Sequence, residues 1–172
     1  MQFHEYGDKD KNTIMVAHGM ICDWRKFREI FKPLEQDYHV IYLAMDGCYD
    51  GAPDFKSFSD ECDEIEKYIG ENHHGMLDAV IGISQGATLM AILMYRGKVR
   101  IDKAVLDGVY VAHQGKLCAK HVRVVSTHEG SGLASMPSDV KKMCKGADVD
   151  LNGLAIVGSQ AKNSKQKVTD WI

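Results

Sequence analysis

The chain holds one G-x-S-x-G match, Gly82-Ile83-Ser84-Gln85-Gly86. The apolar run Leu77–Ile83 leads into it, and the helix-compatible stretch "QGATLMAILMYRG" follows. A serine at a tight strand-to-helix turn has its hydroxyl lifted clear of the chain, and the flanking glycines remove side chains that would collide across the turn. The amides that open the following helix point at the same place, where they can stabilise a negative oxygen. Ser84 is therefore the candidate nucleophile for acyl transfer. The plainer alternative is a helix-capping serine in an ordinary turn.

An earlier apolar run, Thr13–Gly19, ends in His18-Gly19. In an acyl-transfer site one oxyanion amide comes from the residue after the nucleophile, here Gln85. The other comes from the loop after an earlier strand, here Met20. That function uses the backbone alone, so the His18 side chain is expected to hydrogen-bond loop backbone.

The elements that must hold these residues follow from periodicity. Phe3–Tyr6, Thr13–Gly19, Tyr38–Gly47, Leu77–Ile83 and Ile101–Val111 read as strands. Trp24, Phe27, Ile30, Phe31 and Leu34 recur at helical spacing behind Asp23, an N-cap candidate, with Pro33 marking the last turn. Phe58, Cys62, Ile65 and Ile69 mark an amphipathic helix entered through Ser57 or Ser59. Regular alternation through about residue 111 implies parallel strands joined by crossover helices. Beyond that point the pattern weakens. "HVRVVSTHEG" and "NGLAIVGSQ" read as strands, "SDVKKMCKG" as a short helix stopped by Gly146, and "AKNSKQKVTDWI" as a polar, helix-compatible tail.

The chain has 172 residues, 45% hydrophobic, 26% charged, with a net charge of −3. That suits a single domain with a real core, and no basic stripe suggests nucleic acid. No apolar run reaches membrane-spanning length, and "MQFHEYGDKDKN" is too polar for a secretory signal. The five cysteines, Cys22, Cys48, Cys62, Cys118 and Cys144, form no C-x-x-C pair. Reduced thiols in a cytoplasm are the expectation.

Taken in order, "TIMVAHGMICDW", "YHVIYLAMDG" with its loop "CYDGAPDFKSF", "SDECDEIEKYI", "GISQGA" and "IDKAVLDGVYV" resemble the α/β-hydrolase superfamily. The resemblance covers residues 2–111. The loop at Asp46–Gly51 lacks the Pro-Gly-His-Gly turn that the family often carries there. The resemblance implies one α/β domain over 1–172, a mostly parallel twisted sheet with helices on both faces. Residues 112–150 would be a remnant cap or a rearranged region, and the fold would be shortened. It implies a serine hydrolase acting on a small ester or related acyl substrate, with no metal or organic cofactor.

A serine needs a base, and the base an orienting acid. The resemblance implies the chain order Ser, then acid, then His. In the common arrangement the acid follows the next-to-last strand and the His the last. "GLAIV" is followed by Gln160, Lys162 and Asn163, and no histidine occurs after His128. If "GLAIV" is the next-to-last strand, the last strand and the His lie past Ile172. A second arrangement takes the acid from the strand after the nucleophile helix. Asp107 in "AVLDGVYV" then orients His128 in "VRVVSTHEG", and Ser84, Asp107 and His128 stand in the right order. Asp107 as a turn carboxylate and His128 as a loop histidine are the simpler readings, and His113 and His121 are the other base candidates. A rival class keeps the fold without catalysis: an inactive or truncated hydrolase-like binding protein. A sheet that stops early exposes a strand edge, so either a homodimer through that edge or an unusually unstable monomer is expected.

The remaining patterns carry less. Ser138-x-x-Lys141 lacks its β-lactamase companions, His73-His74 is poor geometry for one metal, and "LMAILMY" reads as core.

Overall fold

The computed structural model describes residues 1–20, 22–108, 119–143 and 148–171. In chain order the elements are β1 (Gln2–Tyr6), β2 (Thr13–Ala17), α1 (Trp24–Phe31), β3 (His39–Ala44), α2 (Phe58–Asn72), β4 (Met76–Ile83), α3 (Gln85–Arg96) and β5 (Arg100–Asp107). Then come β6 (Ala119–His128), α4 (Met136–Met143), β7 (Asp148–Val149), β8 (Leu154–Val157) and α5 (Lys165–Trp171). One sheet runs in the order β1-β3-β2-β4-β5-β6-β7, and β8 also pairs with β6.

Helix boundaries follow local chemistry. The Asp23 carboxylate accepts from the Arg25 amide and starts α1. Pro33 falls in a 3₁₀ turn over Lys32–Gln36 that extends it. Ser57, rather than Ser59, caps α2: its Oγ accepts from the Asp60 amide and donates to the Asp60 carboxylate. Gly97, in the left-handed region at φ +67°, ends α3. Cys62, Ile65 and Ile69 are the buried stripe of α2, as their spacing predicts.

Chain direction decides which face each helix covers. From β2 the chain steps one way to β3, then back across to β4, β5 and β6. Right-handed crossovers then put α1 on one face and α2, α3 and α4 on the other. The core divides accordingly. Phe27 packs with Val16, Val40 and Tyr42 on one side, and residues of α2 and α3 pack with Met15, Ile41 and Leu106 on the other. Met90 and Met94 are fully buried, so the Met-rich stretch of α3 is core. Among the described residues, the cover on the α1 side is incomplete. A groove of about 960 Å³ lies over Ile81, Val105 and Val125, between Phe31 and Val168 of α5.

The sheet is mostly parallel, as expected: β2 to β8 pair in parallel, and β1 runs antiparallel to β3, from Gln2 opposite Ala44 to Tyr6 opposite Val40. The far edge is a strand in two pieces. β7 pairs beside His121–Val122 and β8 beside Val125–His128. "GLAIV" thus lies against β6. Gly146 lies outside the described residues. Among the described residues, no helix is long and apolar enough to cross a membrane. Among the described residues, Cys22, Cys48 and Cys62 form no disulfide with one another, and Cys118 and Cys144 fall outside the described residues.

Candidate active site

β4 ends at Ile83, α3 begins at Gln85, and Ser84 makes the turn alone at φ +53°, ψ −114°. A side chain seldom adopts that backbone conformation, and holding it costs on the order of 1–3 kcal/mol. Packing enforces it. A Cβ at Gly82 would sit 2.6 Å from Ala87 Cα, and one at Gly86 would sit 2.3 Å from the Ala17 carbonyl oxygen. Glycine at both positions lets the start of α3 close down on β4 and β2. The Ser84 amide donates to the Asp107 carbonyl at 2.7 Å, and the Ser84 carbonyl accepts from Thr88 in the first helical turn. The residue stays exposed at the C-terminal edge of the sheet.

The loop after β2 lies against it. A Cβ at Gly19 would be 3.4 Å from Ser84 Cβ. Met20 follows, 64% exposed. Gln85 is the first residue of α3, so no carbonyl within the helix can take its N–H. Its side-chain Oε1 is buried without a hydrogen-bond partner. His18 is 1% exposed. Its Nδ1 lies 2.8 Å from the Gly19 carbonyl oxygen, and its Nε2 accepts from the Met45 amide at 3.4 Å. Those partners place the neutral ring's proton on Nδ1. Burial pulls its pKa below the ordinary histidine value. The side chain binds loop backbone, as expected.

Asp107 closes β5 directly opposite Ile83, so its backbone is beside Ser84. His128 closes β6 opposite Val157, three residues beyond Val125, the partner of Asp107. Its Nδ1 accepts from the Gly130 amide at 3.0 Å. Among the described residues, no hydrogen bond joins His128 to Ser84 or to Asp107. The structure thus brings Ser84, Gly19 and Asp107 together, while His128 stands further along the same edge. His113 lies outside the described residues. The His121 backbone pairs with Lys103, four positions before the Asp107 level, roughly 13 Å back along the strand.

The other sequence candidates fall elsewhere. Ser138 donates to the Ser135 carbonyl on an exposed face of α4. His73 Nε2 donates to the Glu5 carboxylate at 2.8 Å at the opposite edge of the sheet. Among the described residues, no group of three metal-ligating side chains is placed to hold an ion.

Sequence reasoning missed Glu61. It is 3% exposed, and its Oε1 accepts from the Asp46 amide at 2.9 Å, in the loop after β3. Burial pushes its pKa up to about 7, the neighbouring Asp46 charge adding to the effect. The chain's terminal ammonium, 2.5 Å from Asp46 and 3.1 Å from Glu64, works against it. The only signal in the sequence was an acid beside Cys62 on the buried stripe. A carboxyl with a raised folded pKa stabilises the fold below its unfolded value near 4.5 and loses that contribution as pH rises through about 7. Glu61→Gln keeps an acceptor for Asp46 and removes the charge. We expect it to raise the melting temperature by several degrees at pH 8, for a difference on the order of 3 kcal/mol, and by little at pH 4. Equal shifts at both pH values in thermal unfolding would contradict this.

A family model described as "Serine hydrolase (FSH1)" matches residues 23–128. No curated protein matches the chain in sequence. Among solved structures, an esterase from a marine microorganism superposes with a TM-score of 0.77 at 9% identity, over 99% of this chain and 98% of that one. A lipase-esterase related protein from Clostridium acetobutylicum gives 0.53 at 23% identity, covering 62% of this chain and 45% of that one. An α/β hydrolase from Sphaerobacter thermophilus gives 0.54 at 18%, covering 66% and 42%. The chain therefore spans less than half the length of the last two, and nearly all of the first.

Proposed function

Because the chain belongs to the FSH1 serine hydrolase family, we propose that it hydrolyses a small ester or related acyl substrate through Ser84. The observation that carries this reading is the exposed Ser84 on a strained turn that Gly82 and Gly86 are forced to accommodate. Ser84 Oγ attacks the ester carbonyl while its proton passes to a base, and the carbonyl oxygen becomes an oxyanion. The Met20 and Gln85 amides receive that charge. The intermediate then collapses, the alcohol leaves with the proton, and water hydrolyses the acyl-enzyme by the same steps. His128 is the proposed base and Asp107 its orienting acid. To act, His128 must release the Gly130 amide, since its neutral ring otherwise carries the proton on Nε2. The reading includes no cofactor, a cytoplasmic setting, and neither nucleic acid nor membrane as partner.

That same Gly130 contact favours a second reading: a hydrolase-like protein that binds an acyl or ester ligand without turning it over. Turnover of p-nitrophenyl acetate and butyrate separates the two. Saturable hydrolysis that disappears with Ser84 supports the enzyme. Binding of a short-chain ester with no turnover supports the second reading.

A further inference from the structure

We infer that His18 is a positioning residue for the oxyanion-binding peptide, an inference that rests on the Ser84 reading above. The Gly19 carbonyl and the Met20 N–H belong to one planar trans peptide, and they point in opposite directions. Fixing the oxygen therefore fixes the direction of the N–H. The Gly19 oxygen accepts from His18 Nδ1 at 2.8 Å and, within the turn, from the Cys22 amide at 3.3 Å. The shorter of the two comes from a ring that cannot move freely. It is 1% exposed and stands 5.9 Å from the Phe27 ring, centroid to centroid. Its far nitrogen is held by the Met45 amide at 3.4 Å.

One imidazole thus ties the loop after β2 to the loop after β3. It turns the Met20 N–H away from the core, at a peptide whose Gly19 lies against Ser84. The arrangement depends on the tautomer. With the proton on Nδ1, His18 donates to Gly19 and accepts from Met45; with the proton on Nε2, both contacts lose their match. An amide preset toward a developing charge acts in the transition state and adds little to binding of the ground state.

Two isosteric replacements separate the contacts. In His18→Asn the side-chain N–H stands where Nδ1–H stood, so the Gly19 contact survives. In His18→Gln the carboxamide reaches the Nε2 position and keeps the Met45 contact alone. With p-nitrophenyl butyrate, His18→Gln should lower kcat by about 10- to 100-fold with KM within twofold, while His18→Asn stays within about fivefold of wild type. A folded His18→Gln protein with wild-type kcat, or one altered in KM only, would overturn the inference. Should His18→Gln not fold, ¹⁵N NMR of the wild-type imidazole decides. The Nδ1–H tautomer is expected at neutral pH, and an Nε2–H tautomer would overturn the assignment. A wild type with no esterase turnover at all would instead remove the Ser84 reading, and this inference with it.

Discussion

Ser84→Ala is expected to lower p-nitrophenyl ester turnover by at least about 10³-fold, to the level set by binding and the oxyanion amides alone. The size follows from the chemistry. Without Oγ no acyl-enzyme forms, and water must attack directly. The folded structure should survive, because the Ser84 contacts holding the turn are backbone ones: its amide to Asp107 and its carbonyl to Thr88. A second substitution tests the turn itself. Ser84→Gly should be equally inactive yet more stable than Ser84→Ala by on the order of 1 kcal/mol, since glycine accepts φ +53° without the strain a Cβ carries. Part of that gain is offset by the greater freedom of glycine in the unfolded chain. Denaturant midpoints of the two variants measure the difference. Ser84→Gly no more stable than Ser84→Ala would mean that the turn stores no strain. Activity retained in both would remove Ser84 from the mechanism.

The second large effect concerns the base. His128→Ala should lower turnover by several powers of ten. The demand on His128 is specific. It must bring an unprotonated nitrogen to Ser84 from a position three residues beyond the Asp107 level, with its Nδ1 now occupied by Gly130. A loss of less than about tenfold would exclude it as the base. His113→Ala and His121→Ala are the comparisons, and the His121 backbone position argues for a small effect there.

What could be read from the sequence was local. Four to seven apolar residues bounded by Gly or a charged turn specify a strand, and Asp23, Ser57 and Gly97 specify helix ends through contacts within a few residues. The turn at Ser84 was legible for the same reason, because Gly82, Ser84 and Gly86 are needed at one turn. Long-range choices were not legible. Nothing within Gln2–Tyr6 says that it runs antiparallel to β3, since pairing is settled across the loop that follows. Asp148–Val149 has two residues, too short for any period, so the split edge could not be foreseen. Glu61 looked like one more acid on a solvated helix until the Asp46 amide and the core were seen to enclose it. His128 had the right place in the chain order, but chain order does not fix where a ring points. The Gly130 amide, two residues away, decides that.

The central claim is that Ser84 is an activated nucleophile, and covalent labelling tests it most directly. The full chain would be treated with a fluorophosphonate probe and digested, and the adduct located by mass spectrometry. The account predicts one phosphonyl group per chain, on the peptide containing Gly82–Gly86, at Ser84, and none in Ser84→Ala. Labelling equal in wild type and Ser84→Ala, or no labelling of the folded wild type under conditions that label a serine esterase, would contradict it.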